Sequence, residues 1–208
     1  MRIEIITPPA GPPVALEEVK DHLRIDHVHE DAYLTGLIQA SVSAVEAHIN
    51  RFLAERIVAV WLNDWGWAKR GPWWDGWRDG SLTDMFSARR TLALPVSPVS
   101  ELLSVSLLDR ANTATPLAID GLYLQPGDKP TLSRLSGSWP SVLRPIEGIR
   151  IELRTGYGDN WNPVPPAIRQ AILLHIGYLY TKRGDEPASA LSASGASALL
   201  APYKRARL

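Results

Sequence analysis

The 208 residues include no cysteine, which removes disulfides, thiol catalysis and cysteine–zinc sites from consideration and fits a reducing compartment. No apolar run approaches the roughly 20 residues that a membrane helix needs. The opening Met1-Arg2-Ile3-Glu4-Ile5-Ile6-Thr7-Pro8-Pro9 holds only a short apolar alternation before its prolines, too brief for a signal-peptide core. The expectation is a soluble chain made in the cytoplasm, with no membrane contact. An excess of one charge is missing too: 22 basic residues face 22 acidic ones. A protein that grips duplex nucleic acid usually shows a net basic surface, so wholesale phosphate neutralisation is not expected. The sequence has no phosphate-binding Gly-x-x-x-x-Gly-Lys, no nucleophile elbow and no dinucleotide fingerprint. Nothing in the pattern argues for an enzyme, and no catalytic residue, metal or cofactor is assigned. Phenylalanine is scarce at two residues, whereas tryptophan reaches eight.

The residues that are present fall into a clear order. Leu16, Val19 and Leu23 lie on one helical face, with Glu17, Glu18, Lys20, Asp21 and Arg24 opposite. A longer helix is predicted from Asp31 to Phe52, striped by Leu34, Leu37, Ile38, Val45 and Ile49. Asp26 to Glu30 would join the two as an antiparallel pair. The period then changes. Arg56 to Leu62 is β-branched and strand-like, and further strands are predicted at Thr91–Leu94, Leu102–Leu108, Leu117–Leu124, Thr131–Leu135 and Gly148–Arg154. Helix returns at Pro166, where a missing N–H costs nothing, and Lys182-Arg183-Gly184 is a stop signal. Its apolar face carries Ile168, Ala171, Ile172, His175, Ile176 and Leu179.

These elements predict an α+β fold: a small helical core of two N-terminal helices and one C-terminal helix, an inserted antiparallel β-rich block, and a flexible C-terminal tail. In residue terms a single domain spans 1–184, with helices over about 15–53 and 166–183. Its β-rich insertion covers about 55–155 and holds a Trp-rich loop at 63–87. The Ala/Ser/Gly-rich stretch 185–198 reads as a mobile linker to the tail 199–208.

An ordered set of segments carries a family resemblance. It begins with Leu16-Glu17-Glu18-Val19-Lys20-Asp21-His22-Leu23-Arg24-Ile25-Asp26, then Asp31 to Ile38, Val45-Glu46 and Asn50-Arg51. Leu94 to Val99, Val105-Ser106-Leu107, Tyr123-Leu124 and Trp139-Pro140 follow. Gly156 to Leu179, opening Gly156-Tyr157-Gly158, and Leu199 to Lys204 complete it. No single motif is specific, but the ordered set resembles the head–tail connector (portal adaptor, or head-completion) proteins of tailed bacteriophages. Similar proteins occur in gene transfer agents.

The resemblance implies a structural protein at the head–tail junction of a virion or phage-like particle, made in the bacterial cytoplasm. Members form a homo-oligomeric ring, usually a dodecamer, beneath the portal protein. They supply the surface on which the tail or its stopper docks, and double-stranded DNA passes through without sequence-specific contact. The family's C-terminal segment inserts against the portal. Here that implicates Leu199, Leu200, Pro202, Tyr203, Lys204, Arg205 and Arg207 as portal-binding residues. Their chemistry agrees, since leucines and a tyrosine offer anchors beside three cations.

The region from about Asn63 to Ser87 departs from the family. Trp61, Trp65, Trp67, Trp73, Trp74 and Trp77 crowd into residues 61–77. Exposed together they would invite aggregation, so most must be covered. One reading packs Trp61 and some of the others under the β block. A second makes Trp65, Trp67, Trp73, Trp74 and Trp77 a protein interface, since tryptophan is enriched at hot spots. The third is a ligand platform, and the alternative function, a carbohydrate- or receptor-binding module, rests on it. Other polar groups read as structure first. His22, His27, His29, Asp26, Glu30 and Asp31 hold metal-ligand types but no zinc spacing, and suit a solvated connection better. His175 reads as a hydrogen-bonded core residue. Asp128, Asp159 and Asn160 are ordinary turn residues before they are a carboxylate set.

Overall fold

A computed structural model describes residues 1–11, 14–65, 91–127, 129–158, 163–183 and 189–204. The chain divides into two compact units, one of Met1–Pro8 and Arg56–Thr155, the other of Pro9–Glu55 and Gly156–Leu208.

The second unit is helical. Helix α1 (Leu16–Leu23) carries Glu17 and Glu18 in its first turn, where the dipole favours acids, and stops at Arg24 in the left-handed conformation. Helix α2 (Asp31–Ile49) stops in the same way at Asn50, with φ 56°. The stop comes just before Phe52, where the apolar pattern had predicted the end. Lys20 Nζ meets Asp31 Oδ1 at 2.9 Å, tying α1 to the start of α2. Helix α3 (Pro166–Thr181) opens on proline at its first position. The stripe Leu34, Ile38, Val42, Val45 and Ile49 packs with Val19 of α1 and with Ile168, Ala171, Ile172 and Ile176 of α3 in one core.

Residues beyond α3 differ from the predicted linker. Ala190–Ala193 form α4 and Ala196–Leu200 form α5, followed by a 3-10 turn at Ala201–Tyr203. Ser189 caps α4, its Oγ accepting the Ser192 N–H. Ala196 and Leu200 are fully buried in the helical core. Alanine, which reads as flexible in such a composition, is the best helix former, and its small side chain lets a short helix approach its neighbours closely. The C-terminal residues therefore extend the helical unit past position 184.

The first unit is β-rich. Strands β1 (Arg2–Thr7), β2 (Arg56–Leu62), β3 (Thr91–Ala93), β4 (Val99–Leu108), β5 (Ala114–Pro116), β6 (Leu122–Gln125), β7 (Thr131–Arg134) and β8 (Ile149–Thr155) form two antiparallel sheets. The larger has the order β1-β2-β8-β4-β5 and the smaller β3-β7-β6. Val58, Val60 and Leu62 stand opposite Leu153, Ile151 and Ile149, giving one fully apolar face. The opening alternation, too short to read as a strand alone, becomes β1 because β2 supplies its partner. The predicted Leu117–Leu124 strand is broken by a 3-10 turn at Ile119–Gly121, where Asp120-Gly121 provides turn chemistry. Among the described residues no helix is long and apolar enough to cross a membrane.

Gly156, with φ 113°, lies against residues 54 and 55: a Cβ there would sit 2.5 Å from the Ala54 carbonyl oxygen. Gly156→Ala should therefore lower stability by about 1–3 kcal/mol from backbone strain alone, read as a lower urea midpoint. Leu200→Ala should cost about 2–5 kcal/mol in the same assay if the terminal helix belongs to the core; a neutral result would mark it as loosely attached.

Candidate functional site

The C-terminal segment is built from the inside outward. Leu200 is fully buried, and Leu199 and Tyr203 pack against the same core half-buried. Arg51, directly after the α2 cap at Asn50, donates from Nε to the Tyr203 carbonyl oxygen at 2.8 Å. The Asn50-Arg51 pair thus has two jobs, ending a helix and fastening the terminal turn. Pro202 and Lys204 are exposed. Arg205 and Arg207 lie outside the described residues. The seven residues assigned to one docking tail therefore divide. Leu199, Leu200 and Tyr203 pack the segment against its own helical unit. The cause is the helical conformation of the preceding Ala-rich stretch, which carries Leu200 inward.

The tryptophan cluster also divides. Trp65 is buried in the β unit and stacks on Trp139 at 4.3 Å between ring centroids. Its Nε1 donates to the Pro140 carbonyl at 2.8 Å. Its ring and its N–H are both engaged within the subunit. Trp61 lies on the polar face of the large sheet, its ring beneath the guanidiniums of Arg2 at 4.9 Å and Arg150 at 5.4 Å. Its Nε1 donates to Glu4 Oε2 at 2.8 Å. Neither ring offers a free platform for a sugar. Trp67, Trp73, Trp74 and Trp77 lie outside the described residues, as do Asp128, Asp159 and Asn160.

Around Trp61 runs a charge lattice that the sequence reading passed over. Arg2 Nε meets Glu147 Oε1 at 2.7 Å, Arg150 meets Glu152 at 2.6 Å, and Arg154 meets Glu101 at 3.0 Å. Ser104 donates to Glu152 at 2.8 Å. The signal was present as Arg150, Glu152 and Arg154, charges at every second position of a strand whose other face is apolar. Opposite signs alternate across the face, so it carries little net field. The Arg2 guanidinium holds the Glu147 carboxyl below its ordinary range.

At the α1–α2 connection, Glu30 accepts from the Tyr180 hydroxyl at 2.5 Å and from Arg183 at 2.7 Å. Arg183 sits over Tyr33 and Tyr180 at 4.7 and 4.6 Å. The His27 and His29 rings lie 5.9 Å apart. With Glu30 engaged by Tyr180 and Arg183 and Asp31 by Lys20, two of the three acidic members of this polar set serve as clamps. No group of metal-ligand side chains assembles among the described residues. His175 is buried in α3 as expected, but its Nδ1 has no hydrogen-bond partner among the described residues, against the hydrogen-bonded reading.

Comparison with known proteins supplies the context for these surfaces. Residues 13–64, covering α1, α2 and β2, match the family model described as phage gp6-like head-tail connector protein. A chain from the neck of an empty gene transfer agent (GTA) particle, computed with C6 symmetry, is similar at 26% identity and TM-score 0.77. The alignment covers 100% of this chain and 97% of that one. Similar chains occur in the neck of the native GTA particle computed with C12 symmetry, at 25% identity and TM-score 0.75, and in the virion of the native particle, at 25% and 0.74. Both alignments again cover 100% of this chain and 97% of the other. No curated protein matches by sequence. The N-terminal part of the sequence is thus similar to a head-tail connector family, and the whole chain is similar to chains of GTA particle necks.

His175 and Glu30 give the helical unit a pH signature. Burial pushes the His175 pKa below its ordinary 6.5. The unfolded chain therefore binds more protons than the folded one as pH falls below 6.5, and stability present above that value is lost. Glu30, held below its ordinary 4.5 by the Tyr180 hydroxyl and then by Arg183, adds a loss of the same sign at lower pH. The urea midpoint should fall between pH 7 and pH 5, and His175→Leu should flatten that fall. An unchanged slope in the variant would show that His175 is not its source.

Proposed function

We propose that the chain forms a ring, a dodecamer in the particle, that binds the portal ring and offers the docking surface for the tail or its stopper. The observation that carries this reading is the full-length likeness to chains from GTA particle necks. Their C6 and C12 symmetry supports a ring, and a closed ring repeats one contact between two different surfaces of each copy. The work is binding rather than catalysis. Zero net charge and a sign-alternating sheet face suit a conduit for double-stranded DNA, which must pass without being gripped.

The portal contact is assigned to the end of the chain. Its base is held by Leu199, Leu200, Tyr203 and the Arg51 bond. Pro202 and Lys204 are exposed, and Arg205 and Arg207 follow in sequence, concentrating three cations within four residues. Such a tip matches an acidic groove, and copies arranged on a ring would add avidity to individually weak contacts.

The test is cosedimentation with the portal assembly encoded in the same genome. Intact protein should bind, whereas a chain lacking residues 205–208 should keep its urea midpoint and lose at least about tenfold in apparent affinity, roughly 1.4 kcal/mol. Removal of 199–208 is the poorer variant, because it takes Leu200 from the core. Undiminished binding by the shorter deletion would move the interface elsewhere on the fold. Failure of the intact protein to bind would sink the connector reading.

A further inference from the structure

We infer that the outer edge of β1 is the subunit–subunit contact of the ring, completed when an extended segment of the next copy adds to it as a further strand. The inference rests on the ring reading above and names the surface through which copies would join.

Strand β1 ends the five-stranded sheet, so its outer backbone groups have no strand beside them among the described residues. All of its residues are exposed. Ile3, Ile5 and Ile6 remain 40%, 50% and 41% accessible, placing three large apolar side chains in one short strand. Ile3 and Ile5 stand in register with Val60 and Val58, both fully buried. The apolar face of the sheet therefore runs to the edge and loses its cover there. Edges left in this state template further pairing unless guarded by charge, proline or brevity.

The guards are placed elsewhere. Arg2 is drawn over the sheet to Glu147 and Trp61, and Glu4 accepts the Trp61 N–H, so both charges of β1 are engaged on the opposite face. Proline appears only after the strand, at Pro8 and Pro9. The other edge of the sheet shows what protection looks like: β5 is three residues long and ends in Pro116. Other exposed apolar side chains include Leu143 and Ile146 in one loop and Ile119, Tyr123 and Leu135 around β6 and β7, but none of these lies on an edge strand of the five-stranded sheet.

A second copy is the occupant that fits. Pairing of β1 with another β1 would be two-fold and would close as a dimer, whereas a ring needs a contact between unlike surfaces. Strand addition supplies affinity through the backbone and register through alternate side chains. Apolar groups of the incoming strand would cover Ile3 and Ile5.

Hydrogen exchange on the wild-type protein, free and bound to its portal assembly, tests this directly. With the portal saturated, amides within Arg2–Thr7 should exchange at least about tenfold more slowly than in the free protein. At less than one copy per portal assembly they should exchange as in the free protein, because a lone copy has no neighbour. Ile5→Lys replaces a half-exposed side chain; it should leave the urea midpoint unchanged, raise the concentration for half-filling the ring by about tenfold, and abolish sigmoidal loading. Unchanged exchange at saturation overturns the inference, as does normal cooperative loading by a folded Ile5→Lys. Protection already complete at sparse loading assigns the edge to the portal and overturns it too. In each of those cases the wild-type protein still binds, so the connector reading survives. No binding by the wild type would remove both. If Ile5→Lys does not fold, the exchange comparison on the wild type decides alone.

Discussion

The helical unit depends on one close crossing of its own chain. Its two stretches are separated in sequence by the whole of Arg56–Thr155, and the β unit is complete before the second stretch begins. What joins them is a short ladder in which the Tyr157 N–H donates to the Leu53 carbonyl at 2.9 Å and the Glu55 N–H to the Gly158 carbonyl at 3.2 Å. Gly156 makes that approach possible, since its left-handed φ and the nearness of Ala54 both exclude a side chain. Only with the crossing formed can Ile168, Ile172 and Ile176 of α3 meet Leu34, Ile38 and Val45 of α2. The terminal helices then have a surface to pack on. The glycine turn therefore fixes the place at which a non-local core is closed.

That closure explains which parts of the fold were legible in sequence. Helices α1, α2 and α3 announce themselves through apolar stripes at three- and four-residue spacing, and β8 through clean alternation. The end of α2 falls short of Phe52 because Asn50, a residue suited to a left-handed stop, ends it first. Arg24 takes the same conformation although arginine is not a usual terminator. The errors lie where tertiary packing overrides composition. Ser189 to Leu200 reads as a linker until α3 offers a partner for Ala196 and Leu200, and β1 reads as a fragment until β2 lies beside it. The insertion of the β block between helices was readable because the period changes sharply at Arg56 and again at Pro166.

The candidate site was less legible, for a different reason. A catalytic centre concentrates chemistry in a few residue types with fixed spacing, but an assembly surface is defined by what is left uncovered. Trp65 and Trp61 look alike in sequence; one stacks on Trp139 inside the unit, and the other carries two guanidiniums on the sheet face. Leu200 and Lys204 lie in the same short tail, yet one is core and the other exposed. Adjacent residues thus belong to different jobs, and only packing separates them.

The same packing limits how this protein can meet partners. Leu200 and the Arg51 bond to Tyr203 fasten the terminal turn to the helical unit, so a contact made through the proposed cationic tip would start from a fixed point. A freely tethered tail would search a larger volume but would lose more entropy when captured. Anchoring reduces that loss at the expense of reach, which suits a partner held at constant distance in a symmetric assembly. The Arg2, Glu4 and Trp61 lattice has a parallel consequence. By holding its charges on one face of the sheet it satisfies them within the subunit, leaving backbone and isoleucine at the edge to set any contact made there. Contacts governed by backbone pairing and apolar cover respond weakly to salt, whereas a cationic tip is screened over about 8–10 Å at physiological ionic strength. The two surfaces are chemically distinct, so ionic strength should separate them: a salt rise that loosens the tip would leave an edge contact largely intact.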